Sequence, residues 1–86
     1  MKTNHLMLRE LLSKYHPKER GILSDGEYGL VKTTLCLDEM DILALRNLRD
    51  FTVASMGRSN KMEDWDRMSA ITYVIDTQII KLGGEV

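Results

Sequence analysis

Residues 64–82, DWDRMSAITYVIDTQIIKL, form the stretch that decides the fold of this chain. Apolar side chains recur along it at steps of three and four, which is typical of one face of an α-helix. The residues on this face are Trp65, Met68, Ile71, Ile75, Ile79 and Leu82. Further apolar residues widen the surface: Ala70, Tyr73, Val74 and Ile80. A helix so broadly apolar must be covered on more than one side.

A second helix is predicted directly before this stretch, over residues 38–57. Asp38 is a suitable residue to cap its start, and Gly57 is suited to end it. Asn60 and Glu63 have the spacing of a capping box, so we expect the last helix to span residues 60–82. Two long helices joined by a short polar turn form an antiparallel hairpin, which would carry most of the core.

The N-terminal half is predicted to hold one helix and a small β element. Residues 3–15 have amphipathic spacing, and Pro17 ends the helix because proline disfavours helical backbone at the preceding residue. Residues 17–29 contain three glycines and indicate a connector. Residues 30–37, LVKTTLCL, alternate apolar and polar side chains and predict a strand. Its partner would be a short strand near Ile22 or the same strand of a second subunit.

These elements predict a single domain over residues 1–86 with an α+β fold that is mostly helical. The 86 residues carry 12 lysines and arginines against 13 aspartates and glutamates, for a formal net charge of −1. The chain therefore lacks the strongly basic character that would favour nucleic-acid binding. DNA remains a possible partner, but it is not the favoured one.

Composition also bounds the compartment. The single cysteine, Cys36, excludes an intramolecular disulfide, which is typical of a reducing environment. No apolar run approaches the roughly 20 residues that a membrane span needs, and Arg9 and Glu10 interrupt any signal-peptide core. We therefore expect a cytoplasmic protein without membrane association.

No residue pattern indicates catalysis. His5 and His16 have no second ligand at helical spacing and are interpreted as surface histidines. Cys36 would need a basic partner and an exposed thiol to act as a nucleophile, so a buried cysteine of the strand is the simpler interpretation. Carboxylates cluster in the first turns of two helices, where the helix dipole favours negative charge. We expect no enzyme activity, no metal site and no cofactor.

The order strand, helix, turn, helix resembles that of ribbon-helix-helix transcriptional regulators. The resemblance covers residues 30–82, with LVKTTLCLDEMD leading into one helix and MGRSNKMEDW into the next. In that family, strands from two subunits pair and polar strand residues enter the DNA major groove. The resemblance implies DNA contacts at Lys32, Thr34 and Cys36 in the strand, and at Ser59 or Asn60 where the second helix starts.

The favoured function is a small non-catalytic protein-binding or regulatory module that acts by occlusion or recruitment. In size and style the chain is similar to small accessory proteins of phages and mobile elements. Tyr73, Val74 and Ile80 are the residues of the last helix left without cover, so they form the predicted protein-interaction face. We also expect a homodimer, since association would stabilise so small a core. The alternative function is a dimeric DNA-binding regulator of the ribbon-helix-helix type.

Overall fold

The computed structural model describes residues 3–15 and 23–85, and 79% of these residues are helical. Within these ranges four α-helices follow one another: α1 (Asn4–Lys14), α2 (Asp25–Thr34), α3 (Ile42–Gly57) and α4 (Met62–Lys81). A 3-10 turn at Leu37–Glu39 joins α2 to α3. The helices α3 and α4 form an antiparallel hairpin, and α1 and α2 pack against it.

The predicted α+β fold is wrong, because the described residues form four helices and no strand. Residues 30–34, expected to begin the strand at 30–37, form the second half of α2. Val31 and Leu35 are both fully buried, and their spacing of four fits a helix. A helix pairs its backbone groups internally, whereas a single strand needs a partner edge. The proposed partner strand near Ile22 lies outside the described residues.

The start of α2 is fixed by a capping box in the segment predicted to be a connector. The Ser24 hydroxyl accepts a hydrogen bond from the Glu27 backbone N–H at 3.2 Å. The Glu27 carboxylate in turn accepts one from the Ser24 backbone N–H at 3.4 Å. The Ser-x-x-Glu spacing is visible in the sequence, but the glycines at positions 26 and 29 favour a turn there. Reciprocal capping and burial of Val31 offset the cost of these glycines.

The end of α2 corrects the interpretation of Cys36. This residue has φ 55°, in the left-handed region, and its side chain is exposed. It is therefore not a buried cysteine of a strand. The reversal at Cys36 leads into the 3-10 turn, which buries Leu37 completely and brings Asp38 towards α4.

The third helix starts later than predicted. Asp41, not Asp38, is the residue that caps α3, and its carboxylate accepts a hydrogen bond from the Ala44 backbone N–H at 2.8 Å. Asp38 lies instead in the 3-10 turn that precedes the helix. The buried side chain of Leu37 holds this turn in place, so a helix cannot run through it unbroken.

The expected capping box of Asn60 and Glu63 does not form at the start of α4. Lys61 occupies the capping position, and no side chain caps the helix there. The Ser59 hydroxyl instead donates to the Asp64 carboxylate at 2.7 Å and accepts from the Lys61 backbone N–H at 3.2 Å. These bonds fix the connection between the two long helices.

The core lies between the inner face of α4 and the other three helices. The buried residues of α4 are Met68, Ala70, Ile71, Val74, Ile75, Gln78 and Ile79. The other three helices contribute these buried side chains to the hydrophobic core: Met7, Leu8, Leu11, Val31, Leu45 and Leu48. Complete burial of one such aliphatic side chain contributes about 1.5–3 kcal/mol. The α4 inner face is therefore the largest single contribution to the stability of the fold.

The C-terminal end of α4 closes with two glycines in a defined reversal. Gly83 has φ 86°, and its backbone N–H donates to the Ile80 carbonyl at 3.0 Å. The Gly84 N–H donates to the Ile79 carbonyl at 2.9 Å. This pair of bonds is the Schellman motif, in which a left-handed residue satisfies the last carbonyls of a helix. A side chain at Gly83 would have to adopt that left-handed conformation.

We predict opposite effects for two glycine-to-alanine substitutions. Gly83→Ala should lower the free energy of unfolding by about 1 kcal/mol, because an alanine resists the left-handed conformation. Gly29→Ala should raise it by about 0.5–1 kcal/mol, because Gly29 lies inside α2 with open space around its Cβ position. Urea denaturation of both variants measures these changes. Equal effects in the two variants would contradict the assigned backbone conformations.

Candidate protein-interaction site

The outward face of α4 carries four exposed apolar side chains in one line, here termed the α4 stripe. They are Met62, Trp65, Tyr73 and Ile80, with 64%, 43%, 63% and 61% of their surface exposed. At about 100° per residue, these positions fall within a sector of about 80°, with Trp65 at one edge. Met62 and Ile80 are about five turns apart, so the stripe is about 27 Å long. The helix therefore has an apolar face in the core and an apolar line on its outer side.

Two of the three residues predicted as the interaction face lie in the stripe. Tyr73 and Ile80 are exposed, whereas Val74 is fully buried. Val74 belongs to the same core cluster as Val31 and Leu35, at the end of α2. The sequence pattern predicts a strand in this region, which would cover less of α4 than a helix does. Val74 is consequently not available to a partner.

Trp65 and Met62 are the members of the stripe that the predicted interaction face does not include. The apolar pattern places Trp65 on the core face, but the ring lies partly in solvent. Its indole N–H donates to the Ser59 backbone carbonyl at 2.9 Å, which holds the ring at the start of α4. The signal that identifies both residues is their helical register, since they fall on the same line as Tyr73 and Ile80.

One flank of the stripe is bounded by α3. Arg49 donates through Nε to an Asp76 carboxylate oxygen at 2.6 Å, and both side chains remain partly exposed. Nearer the connection, the Ser69 hydroxyl lies 3.5 Å from the Met56 sulfur. Val53, between these two contacts along α3, is 37% exposed and adds apolar surface beside the stripe. The ion pair and the apolar side chains together form a rigid two-helix surface.

A second cluster of polar groups lies inside the fold and ties α1 to α4. The Arg67 guanidinium donates through Nη2 to the backbone carbonyls of Leu12 and Tyr15, the latter at 2.8 Å. These carbonyls belong to the C-terminal end of α1, where the helix dipole favours positive charge. Arg67 is therefore a cap for α1 supplied by another helix.

Tyr15 lies beside this arginine and is almost completely buried. Burial, followed by the nearby Glu27 carboxylate, raises the pKa of Tyr15 to about 12, and the Arg67 charge opposes this shift. The phenol is thus held protonated at neutral pH and is closed off from solvent. These two properties suit a structural side chain and do not suit a general base.

The residues implied as DNA contacts do not converge in the structure. Lys32 lies 3.3 Å from the Asp38 carboxylate, which accepts a hydrogen bond from the Gln78 amide at 3.4 Å. This group sits near the C-terminal end of α4. Ser59 is bonded to Asp64 near the N-terminal end, about 20 Å away along the helix axis.

The remaining implied contacts are equally scattered. Thr34 is partly buried in the last turn of α2, whereas Cys36 is exposed in the following reversal. Asn60 is exposed in the connection between α3 and α4. With α2 in place of the strand, the five implied contact residues do not form a row that could face one groove of DNA.

A surface depression of about 430 Å³ lies along α1 and is lined by Leu6, Arg9, Glu10 and Ser13. A cleft of about 200 Å³ between α1 and α3 is lined by His5, Leu8, Arg9, Leu12, Phe51, Ser55 and Met68. This cleft is smaller than typical small-molecule pockets, which start at about 300 Å³. The His5 ring meets the Phe51 ring edge-on, with centroids 6.2 Å apart, which gives this exposed histidine a packing role.

In residues 3–15 and 23–85, no three His, Cys, Asp or Glu side chains are grouped so that they could hold a metal ion. His16 lies outside these ranges. No helix of the described segments is long and apolar enough to cross a membrane.

The pKa of Tyr15 predicts how stability depends on alkaline pH. The phenol titrates near pH 10 in the unfolded chain and near pH 12 in the folded one, so the folded state retains the proton longer. The contribution of the Tyr15 phenol to the free energy of unfolding is complete below pH 10 and is lost as the pH rises towards 12. The free energy of unfolding should fall over this interval by roughly 1–3 kcal/mol more in the wild type than in Tyr15→Phe.

Denaturant unfolding at several alkaline pH values measures this difference. Tyr73→Phe is the matched control, because it removes a phenol that is 63% exposed. Its alkaline profile should follow that of the wild type. An unchanged profile for Tyr15→Phe would contradict the assigned environment of Tyr15.

Comparison of the chain with protein-family models, with curated proteins and with solved structures finds no match. Function is therefore inferred from the surface and the contacts of this chain alone.

Proposed function

We propose that this chain is a non-catalytic protein-binding module with a regulatory role, and that the α4 stripe receives an apolar helix of its partner. The observation that carries this proposal is the line of four large apolar side chains on the outer face of α4, each 43% to 64% exposed. Aligned apolar groups on a soluble surface are typical of interaction sites.

The composition of the stripe supports a binding role. Tryptophan and tyrosine are enriched among the residues that contribute most to interface energies, and methionine adapts to differently shaped partners. Covering a large apolar side chain contributes about 1.5–3 kcal/mol when burial is complete. Because the stripe side chains are already partly covered, each contributes a fraction of that value on binding.

The rigidity of the surface also supports the proposal. The inner face of α4 is locked in the core by fully buried residues such as Ile71 and Ile75. The ion pair of Arg49 with Asp76 fixes α3 against the same helix. A preformed surface loses little conformational freedom on binding, so more of the contact energy appears as affinity.

A helix is the partner element that fits this geometry. The stripe is about 27 Å long and covers about 80° of the helix surface, with anchors repeating at helical spacing. Helical ligands present apolar residues at the same spacing. Occlusion or recruitment of a partner through such a contact requires no reacting group on this chain. We expect the module to act in the cytoplasm, where the exposed thiol of Cys36 would stay reduced.

The contacts of this chain do not support the DNA-binding alternative. It depends on a strand at residues 30–37 that pairs between two subunits, and residues 30–34 are helical. The separation of Lys32 from Ser59 also removes a common surface for base and phosphate contacts.

We predict that removing the stripe abolishes partner binding. The double variant Tyr73→Ser/Ile80→Ser should lose at least about tenfold in affinity for captured partner proteins, because two of the four anchors are removed. Immobilised wild type and variant chains are compared for the proteins that they retain from cell extract. A photo-crosslinker at position 73 then identifies which retained proteins touch the stripe.

Leu6→Ser is the matched control, since Leu6 is a similarly exposed apolar residue on α1. It should retain the same partners as the wild type. Circular dichroism of all variants checks that the helices persist. Equal retention by the double variant and the wild type would show that the stripe is not the binding surface.

A further inference from the structure

We infer that the helix seated on the α4 stripe is α4 of a second copy of this chain, packed antiparallel about a twofold axis level with Ile71. This inference rests on the proposed function, because it names the partner of the same surface. The α4 helices of the two copies would form the centre of the dimer, with α3 of each copy beside them.

The order of residues along the stripe supports an antiparallel pair. Met62 and Ile80 lie at equal distances on either side of Ile71, and so do Ser69 and Tyr73. In a pair centred at that level, Met62 faces Ile80 of the second copy at both ends. Ser69 faces Tyr73 of the second copy near the middle, so a small side chain meets a large one. The stripe is thus complementary to itself when one copy is reversed.

The flanking charges at the two ends of the stripe are complementary in the same arrangement. Glu63 in the first turn and Lys81 in the last turn are both exposed. They project on the flank away from α3, each about 100° from the centre of the stripe. A twofold axis perpendicular to the helices brings each flank against the same flank of the other copy. Glu63 therefore lies beside Lys81 of the second copy, and the contact occurs twice.

The flank beside α3 is also compatible with the antiparallel pairing. Trp65 comes level with the Asp76 carboxylate of the second copy, which is bound to Arg49. A guanidinium beside an indole ring is a favourable contact. A parallel pair would instead place Glu63 of both copies at the same end, where like charges oppose association.

The expected dimer is weak. Each stripe side chain is already partly covered in the monomer, and the contact involves one helix and the edge of another. Such an interface lies at the small end of specific interfaces, so dimerisation should depend on concentration in the micromolar range.

Charge reversal tests the pairing directly. Glu63→Lys and Lys81→Glu should each weaken the dimer by roughly tenfold at low salt, because two attractive contacts become repulsive. An equimolar mixture of the two single variants should form a heterodimer, since every flank contact then joins opposite charges. The double variant Glu63→Lys/Lys81→Glu should dimerise like the wild type. Sedimentation equilibrium from micromolar to submillimolar concentration measures all four samples.

Arg9→Glu on α1 is the control for a change of net charge away from the stripe, and it should leave the dimer unchanged. Circular dichroism confirms that each variant is folded. A wild type that stays monomeric, or single variants that do not restore each other, would overturn the antiparallel dimer. A dimer sensitive to Ile80→Ser but not to charge reversal would also overturn this pairing. In these cases loss of partner capture by Tyr73→Ser/Ile80→Ser would still support the proposed function.

Discussion

Burial of the inner face of α4 is the constraint on which the other elements depend. Ile71, Ile75 and Ile79 are fully enclosed, and the chain must supply three further helices to enclose them. The α3 helix covers one side as the second arm of the hairpin. The α1 and α2 helices cover the rest, which leaves the outer side of α4 in contact with solvent. The location of the stripe is thus a consequence of how the core is closed.

Polar contacts position the covering helices without opening the core. Arg67 reaches from α4 to the carbonyl end of α1, and Gln78 reaches from α4 to Asp38 in the turn after α2. Each contact joins α4 to an element distant in sequence. The same groups are thereby engaged inside the fold, so the strongest local electrostatic features of the interior are structural. The free surface of α4 is where an interaction with another molecule can occur.

Several features of the fold and site could be predicted from residues alone. The helical period of residues 64–82 predicts a helix, and α4 spans nearly that range. The amphipathic spacing of residues 3–15 likewise predicts α1. The period also identifies Tyr73 and Ile80 as lying off the core face. The spacing of Val31, Thr33 and Leu35 permits both a strand and a helix, and the glycines near Ser24 favour a turn over the capping box that forms there.

By itself, the sequence determined that the chain is organised around one broadly apolar helix, because a repeat of three and four residues is a local property of the chain. Only the tertiary structure decided which sides of that helix are covered. Val74 is buried and Trp65 is partly exposed because α2 is a helix packed on one side and the Ser59 carbonyl holds the indole on the other. Both outcomes depend on contacts between elements distant in sequence. A periodic pattern states which residues share a face, but it does not state what packs against that face.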